Sequence, residues 1–309
     1  MAAEQAGALR RVACTVLALS LLGTLGCAKP KGFDPVTQDP GSYPAAFPPA
    51  LQEISVRSHG ALLNGIVYEA AGPGPHPAVL LLHGFPGNER NLDLAQALRR
   101  AGWTVVFFHY RGAWGSGGDF SITHVLEDVA RMLDVLENPG FAQQHRIEAR
   151  RISLVGHSMG GFAALLTASE RPDVYCAISM AGANMGGMAS GMADDPNLGA
   201  AMAARLDGWS GPLAGTSGAA LVAEVAAAQQ RFDLRNHAAG LAGRPVLLVA
   251  AAQDEVAAPE FHHHPVASAI RARNAAGLDE IVIPGDHSFS QSRIQLARRV
   301  IGWMREHCR

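Results

Sequence analysis

Within "RISLVGHSMGG", residues 151–161, one serine stands between glycines in the pattern G-x-S-x-G: Gly156, Ser158 and Gly160. An apolar run precedes it and a second apolar run follows. A serine at a sharp strand-to-helix turn presents its hydroxyl above the carboxyl edge of a sheet, at the positive end of the following helix. Side chains beside that turn would collide, so its flanks must be glycine. In a chain with 34 glycines the pattern alone is weak, and its position between a predicted strand and a predicted helix gives it weight.

A serine hydroxyl becomes a nucleophile only when a base takes its proton, and the base needs a carboxylate to hold its tautomer. Two later segments offer those partners in order. "RPVLLVAAAQDEVAAP" ends its apolar run at Gln253, which puts Asp254 at the carboxyl end of a strand; "DEIVIPGDHSFS" ends another and puts His287 in the loop beyond. Glu255 and Asp286 are rivals for the acid. Asp286 adjoins His287 in sequence and is poorly placed to accept from its ring, and Glu255 is expected to point away, so Asp254 is favoured.

The elements that must position these residues alternate along the chain. "LQEISVRS" and "ALLNGIVYEA" read as a leading strand pair, followed by buried strands at "PAVLLLHG", "TVVFFHY", "RISLVG", "VYCAISMAG", "RPVLLVAAA" and "DEIVIPG". Helical patterns separate most of them, the clearest over residues 122–136, where Val125, Val129, Met132, Leu133 and Leu136 share a face. Apolar strands alternating with helices predict an α/β fold with a mostly parallel sheet covered on both sides. Residues 183–243, rich in Ala, Gly and Met, break the rhythm and predict a small helical cap.

From about Leu51 onward, with "HGFPG", "HYRGAWGSGG", "GHSMGG", "DEVAAP" and "GDHSF" in order, the chain resembles the α/β-hydrolase superfamily. "HYRGAWGSGG" is further similar to the prolyl oligopeptidase and dienelactone hydrolase branches. The resemblance implies an oxyanion hole built from the N–H groups of Phe85 and Met159, with His83 stabilising its loop rather than acting as a base. It also implies a serine hydrolase that forms an acyl-enzyme and uses no cofactor. An esterase acting on small or medium apolar acyl esters is the leading expectation; a peptidase or amidase of prolyl oligopeptidase type, or a noncatalytic binding protein on the same scaffold, are the alternatives. Halide or epoxide chemistry is disfavoured by serine, rather than aspartate, at the elbow.

Other features narrow the partners. The formal charge of -2, without blocks of like charge, offers no footprint for nucleic acid, and a small-molecule ester fits better. The glycines of "GAWGSGG" match no nucleotide-binding loop. "EFHHHP" suggests metal at first sight, yet its histidines His262, His263 and His264 are consecutive at a helix start with no supporting carboxylate pattern, so no metal is expected. Of four cysteines, Cys14 and Cys27 fall in the N-terminal apolar segment. Cys176 and Cys308 are read as no disulfide framework, Cys176 being a buried small hydrophobe.

Arg10 and Arg11 precede "VACTVLALSLLGTLGCA", the layout of a signal peptide over residues 1–28. "TLGC" is similar to a bacterial lipobox with Cys27 as the lipidated residue, although Thr24 and Leu25 depart from its pattern; cleavage after Ala28 is the alternative. The expectation is an exported protein, either membrane-anchored through Cys27 or periplasmic or secreted. Residues 29–50, rich in Pro, Gly and Asp, are expected to be a tether, and residues 51–309 the α/β-hydrolase-like domain, with the cap inserted at 183–243.

Overall fold

A computed structural model describes residues 32–309. The chain enters a hairpin of β1 (Ala50–Ser58) and β2 (Ala61–Glu69), turned by His59 and Gly60, both at positive φ. Two central residues of that kind match the right-handed twist of the strands they join. Then follow β3 (His76–Leu82), α1 (Leu92–Arg100), β4 (Thr104–Phe108), α2 (Ile122–Glu137), α3 (Pro139–Gln144), β5 (Ile147–His157), α4 (Met159–Glu170) and β6 (Cys176–Met180). Between β6 and β7 (Val246–Ala251) the chain is helical: α5 (Met185–Asp194), α6 (Pro196–Trp209), α7 (Gly218–Ala227), α8 (Gln229–Phe232), a short 3-10 turn and α9 (Ala238–Leu241). The chain ends with α10 (Pro259–His262), α11 (His264–Arg273), β8 (Leu278–Ile283) and α12 (Arg293–His307).

The strands form one eight-stranded sheet in the order β1-β2-β4-β3-β5-β6-β7-β8. β1 and β2 pair antiparallel, β2 runs antiparallel to β4, and the other six strands are parallel. A parallel sheet must be covered on both faces, because its crossover helices lie there. Residues of α2, α4 and α11 fill the core on one face, and those of α1 and α12 the core on the other. In α2 the predicted residues Val125, Val129, Met132, Leu133 and Leu136 are all buried, and Ser121 caps its first turn by accepting from the His124 N–H.

Two findings depart from the sequence reading. Cys176 is buried as expected, but it is bonded to Cys308, joining the start of β6 to the residue after α12 across 132 positions. Two cysteines so far apart carry no spacing signal; folding alone brings their Cα atoms to 5.9 Å. The expected tether over residues 29–50 is in part fixed to the domain. Residues 35–309 form one compact unit, in which the Pro35 carbonyl accepts from Arg100 at 2.6 Å and the Phe47 carbonyl from the Gly72 N–H at 3.0 Å. The expected signal segment and Cys27 lie outside the described residues. Among the described residues no helix is long and apolar enough to cross a membrane.

Candidate active site

Ser158 sits between β5 and α4 with φ 55 and ψ -118, a backbone conformation rarely adopted by residues with a Cβ. Its surroundings hold it there. The Ser158 N–H donates to the Met180 carbonyl at 2.9 Å, and its own carbonyl accepts from Phe162 and Ala183 at 3.0 and 3.2 Å. A Cβ on Gly156 would overlap the Gly160 carbonyl, and one on Gly160 would overlap the carbonyl of Leu82. The glycines therefore allow strand, turn and helix to pass at contact distance.

Past β3 the chain crosses directly over the elbow: a Cβ on Gly84 would lie 2.9 Å from Ser158 Cβ. Phe85 and Met159 thereby flank Ser158 at one cavity. Met159 opens α4, where N–H groups have no partner within the helix and the helix dipole favours negative charge. Several side chains brace the loop carrying Phe85. His83 donates from Nδ1 to the Gly84 carbonyl at 2.8 Å, Trp114 from Nε1 to the Pro86 carbonyl at 2.8 Å, and Arg90 to the Gly87 carbonyl at 3.1 Å. Tyr110 reaches back to the His83 carbonyl at 3.0 Å. Burial pushes His83 down to about 3, so it stays neutral as a loop stabiliser.

Beyond β8, His287 meets Asp254 from the loop after β7, Nδ1 to Oδ2 at 2.8 Å. Asp254 is buried, and its other oxygen accepts from the N–H groups of Val256 and Ala257, each at 2.8 Å. Burial pushes its carboxyl up, but the hydrogen bond and charge of His287 and the two N–H donors outweigh it and hold the group below the usual range. An ionised carboxylate on Nδ1 fixes the proton there and leaves Nε2 free to accept one. The rival acids are elsewhere: Asp286 is exposed and accepts from the N–H and hydroxyl of Ser290, both at 2.8 Å, and Glu255 is exposed.

His157, inside the elbow motif, gives no signal of its own in the sequence. It donates from Nε2 to the His287 carbonyl at 2.7 Å, and the two rings lie 4.8 Å apart. Burial lowers it to about 4, so a neutral imidazole holds the loop bearing His287.

Ser158, His287, Phe85 and Met159 open on a cavity of about 310 Å³. Met185, Met188 and Met192, spaced to share one face of α5, line it with Met202 and Leu206 from α6. Cap and body are joined firmly. The Glu224 carboxylate of α7 accepts from the N–H groups of Ile122 and Thr123 at 2.9 and 2.7 Å, and Ala113 bridges to Leu213. The triple histidine divides: His262 lines the cavity, whereas His263 and His264 approach Glu280 on β8. The fold thus supplies a carboxylate that the sequence reading did not associate with them. His263 bonds Glu280 at 2.9 Å, and Arg271 is ion-paired to the same carboxylate, which balances its charge.

Residues 79–299 match the model of the alpha/beta hydrolase family. An uncharacterized protein of Mycobacterium tuberculosis is 30% identical over 126 residues, 40% of this chain and 43% of that protein. An uncharacterized 31.7 kDa protein of Escherichia coli is 33% identical over 110 residues, 34% of this chain and 36% of the relative. The chain therefore spans less than half the length of these curated relatives. Among solved structures, an esterase of Pyrococcus furiosus superposes with TM-score 0.63 at 16% identity, covering 85% of this chain and 93% of the other. Est1E from Butyrivibrio proteoclasticus does so with TM-score 0.62 at 20% identity, covering 82% and 98%. At such identities the structural likeness is one of fold; together with the family match over most of the sheet and its connections, it establishes that the chain belongs to the alpha/beta hydrolase family.

Proposed function

We propose that the protein is a serine hydrolase of carboxylic esters, with Ser158 as nucleophile, His287 as general base and Asp254 as its orienting acid. The observation that carries this reading is the 2.8 Å bond from His287 Nδ1 to buried Asp254, beside a cavity that also holds Ser158 on its strained turn. The Ser158 Oγ bonds to the ester carbonyl carbon while its proton passes to His287 Nε2, and the carbonyl oxygen takes the negative charge. The N–H groups of Phe85 and Met159 receive that oxyanion. Collapse breaks the bond to the alcohol oxygen, which leaves with the proton from His287. Water, deprotonated in turn by His287, then releases the acid and restores Ser158.

An apolar, methionine-walled cavity suits an acyl chain and discriminates weakly among chain lengths, by about 1 to 3 kcal/mol per methylene. The test is a panel on the purified protein: fluorophosphonate labelling, then kcat/KM for nitrophenyl esters of increasing acyl length beside aminoacyl anilides. Labelling lost in Ser158→Ala, with esters well ahead of anilides, is the expected result. Anilides equal to or ahead of esters would favour a peptidase, and absence of labelling a noncatalytic scaffold.

The same proposal includes export, with Cys27 as a lipid anchor; the layout of residues 1–28 supports it, as does a disulfide, a bond typical of oxidising compartments. Membrane fractionation of the wild type and Cys27→Ser tests it. A soluble mature protein starting at Lys29 would point to simple secretion.

A further inference from the structure

From the placement of His262 we infer that this residue determines specificity, its Nε2–H serving as a hydrogen-bond donor in the apolar cavity for substrates that carry an acceptor oxygen on the chain near the scissile ester. The inference rests on the ester-hydrolase reading of that cavity. Its basis is the tautomer. The Asn184 backbone N–H donates to His262 Nδ1 at 3.0 Å, so Nδ1 holds the lone pair and a neutral ring must carry its proton on Nε2.

The site is built from both sides. Asn184, at the start of the cap, donates from its side chain to Asp233 at 3.0 Å and accepts from the Leu234 N–H at 2.9 Å, which fixes the backbone that grips His262. Asp233 is itself ion-paired with Arg235. On the other side His262 ends α10, eight positions beyond Asp254. Burial lowers its basicity; Asp254 raises it and His287 lowers it, and the ring is held below the ordinary histidine range. A neutral donor then lines the same cavity as Met185, Met188 and Val256. An all-carbon chain bound there leaves the N–H without a partner, whereas an ether or hydroxyl oxygen at the right position accepts from it.

The experiment compares nitrophenyl hexanoate with its 3-, 4- and 5-oxa analogues, each kcat/KM divided by the ester's rate with hydroxide. We expect at least one oxa analogue to exceed the parent by roughly fivefold to tenfold, the worth of one hydrogen bond. His262→Phe should bring the ratio close to one, and His262→Gln, which can accept from Asn184 and still donate, should restore part of it. A second readout needs neither turnover nor a folded Phe variant. In Ser158→Ala protein the ¹⁵N signal of His262 Nε2 should move with at least one of the three oxa esters, each titrated in turn, and not with hexanoate. A ratio near one for every analogue in the wild type, an unchanged ratio in His262→Phe, or an unmoved ¹⁵N signal would overturn the inference. If the wild type hydrolyses none of the esters, the ester-hydrolase reading falls, and the ¹⁵N experiment still decides the role of His262.

Discussion

Asp286 adjoins His287 in sequence and Asp254 meets it only in the fold, and the two differ in what surrounds them. Asp254 is buried and divides its oxygens between His287 and two backbone N–H groups; Asp286 faces solvent and is occupied by Ser290. Neutralising Asp254 lets the amide of Asn bond to His287 in the wrong tautomer. Asp254→Asn should therefore lower kcat by on the order of 10⁴, and Asp286→Asn by less than about tenfold. Steady-state rates on one nitrophenyl ester measure both, and a reversed ranking would move the acid to Asp286. Ser158, Asp254 and His287 could be singled out in the sequence as candidates because each follows an apolar strand at a glycine-rich or acidic turn, a local signal. His262 could be read only as one of three consecutive histidines. Its tie to Asn184 spans 78 positions and depends on how the cap returns to the sheet, which no local pattern encodes.

At the scale of elements, strand runs and the helix over residues 122–136 were visible because burial on both faces makes parallel strands continuously apolar. How the cap is anchored was not visible. Glu224 is one acidic residue in an alanine-rich helix, yet its carboxylate accepts from two N–H groups at the first turn of α2, where a negative charge also meets the helix dipole. Glu224→Ala leaves those donors without their partner. It should lower stability by about 1–2 kcal/mol and loosen the wall facing the cavity. We expect KM for medium-chain esters to rise while fluorophosphonate labelling of Ser158 persists. Calorimetry and a chain-length series measure the two effects, and an unchanged Tm would mean that the α2 N-terminus does not depend on Glu224.

Two features belong to the whole molecule. The Cys176–Cys308 bond closes a loop of 132 positions, and a cross-link of that span limits the unfolded chain strongly. Cys308→Ser should cost about 2–5 kcal/mol in urea unfolding, and reduction of the wild type should reproduce the loss. Equal stability with and without reductant would show the bond to be dispensable. The second feature is a set of neutral histidines packed behind the site. Burial lowers His83 to about 3, and His109 and His157 to about 4. In the unfolded chain each takes up its proton near pH 6.5, well before the folded protein does. The unfolded state therefore binds more protons between about pH 6.5 and 4, and stability in that window rises with pH. What these histidines contribute is complete above about pH 6.5 and is lost as the pH falls towards their folded values. Each fully buried ring adds a slope of about 1.4 kcal/mol per pH unit; His109, half-buried and screened by solvent, adds less. Asp254, whose folded value is also depressed, extends the loss below about pH 4, where the unfolded carboxylate protonates first. Urea midpoints at pH 7.5, 6 and 5 should thus fall most across the last two, because unfolding there takes up the protons that the folded rings exclude. A midpoint that stays level from pH 7.5 to 5 would mean that these rings are protonated in the folded protein, and the neutral braces, His83 on the Phe85 loop and His157 on the His287 loop, would have to be abandoned.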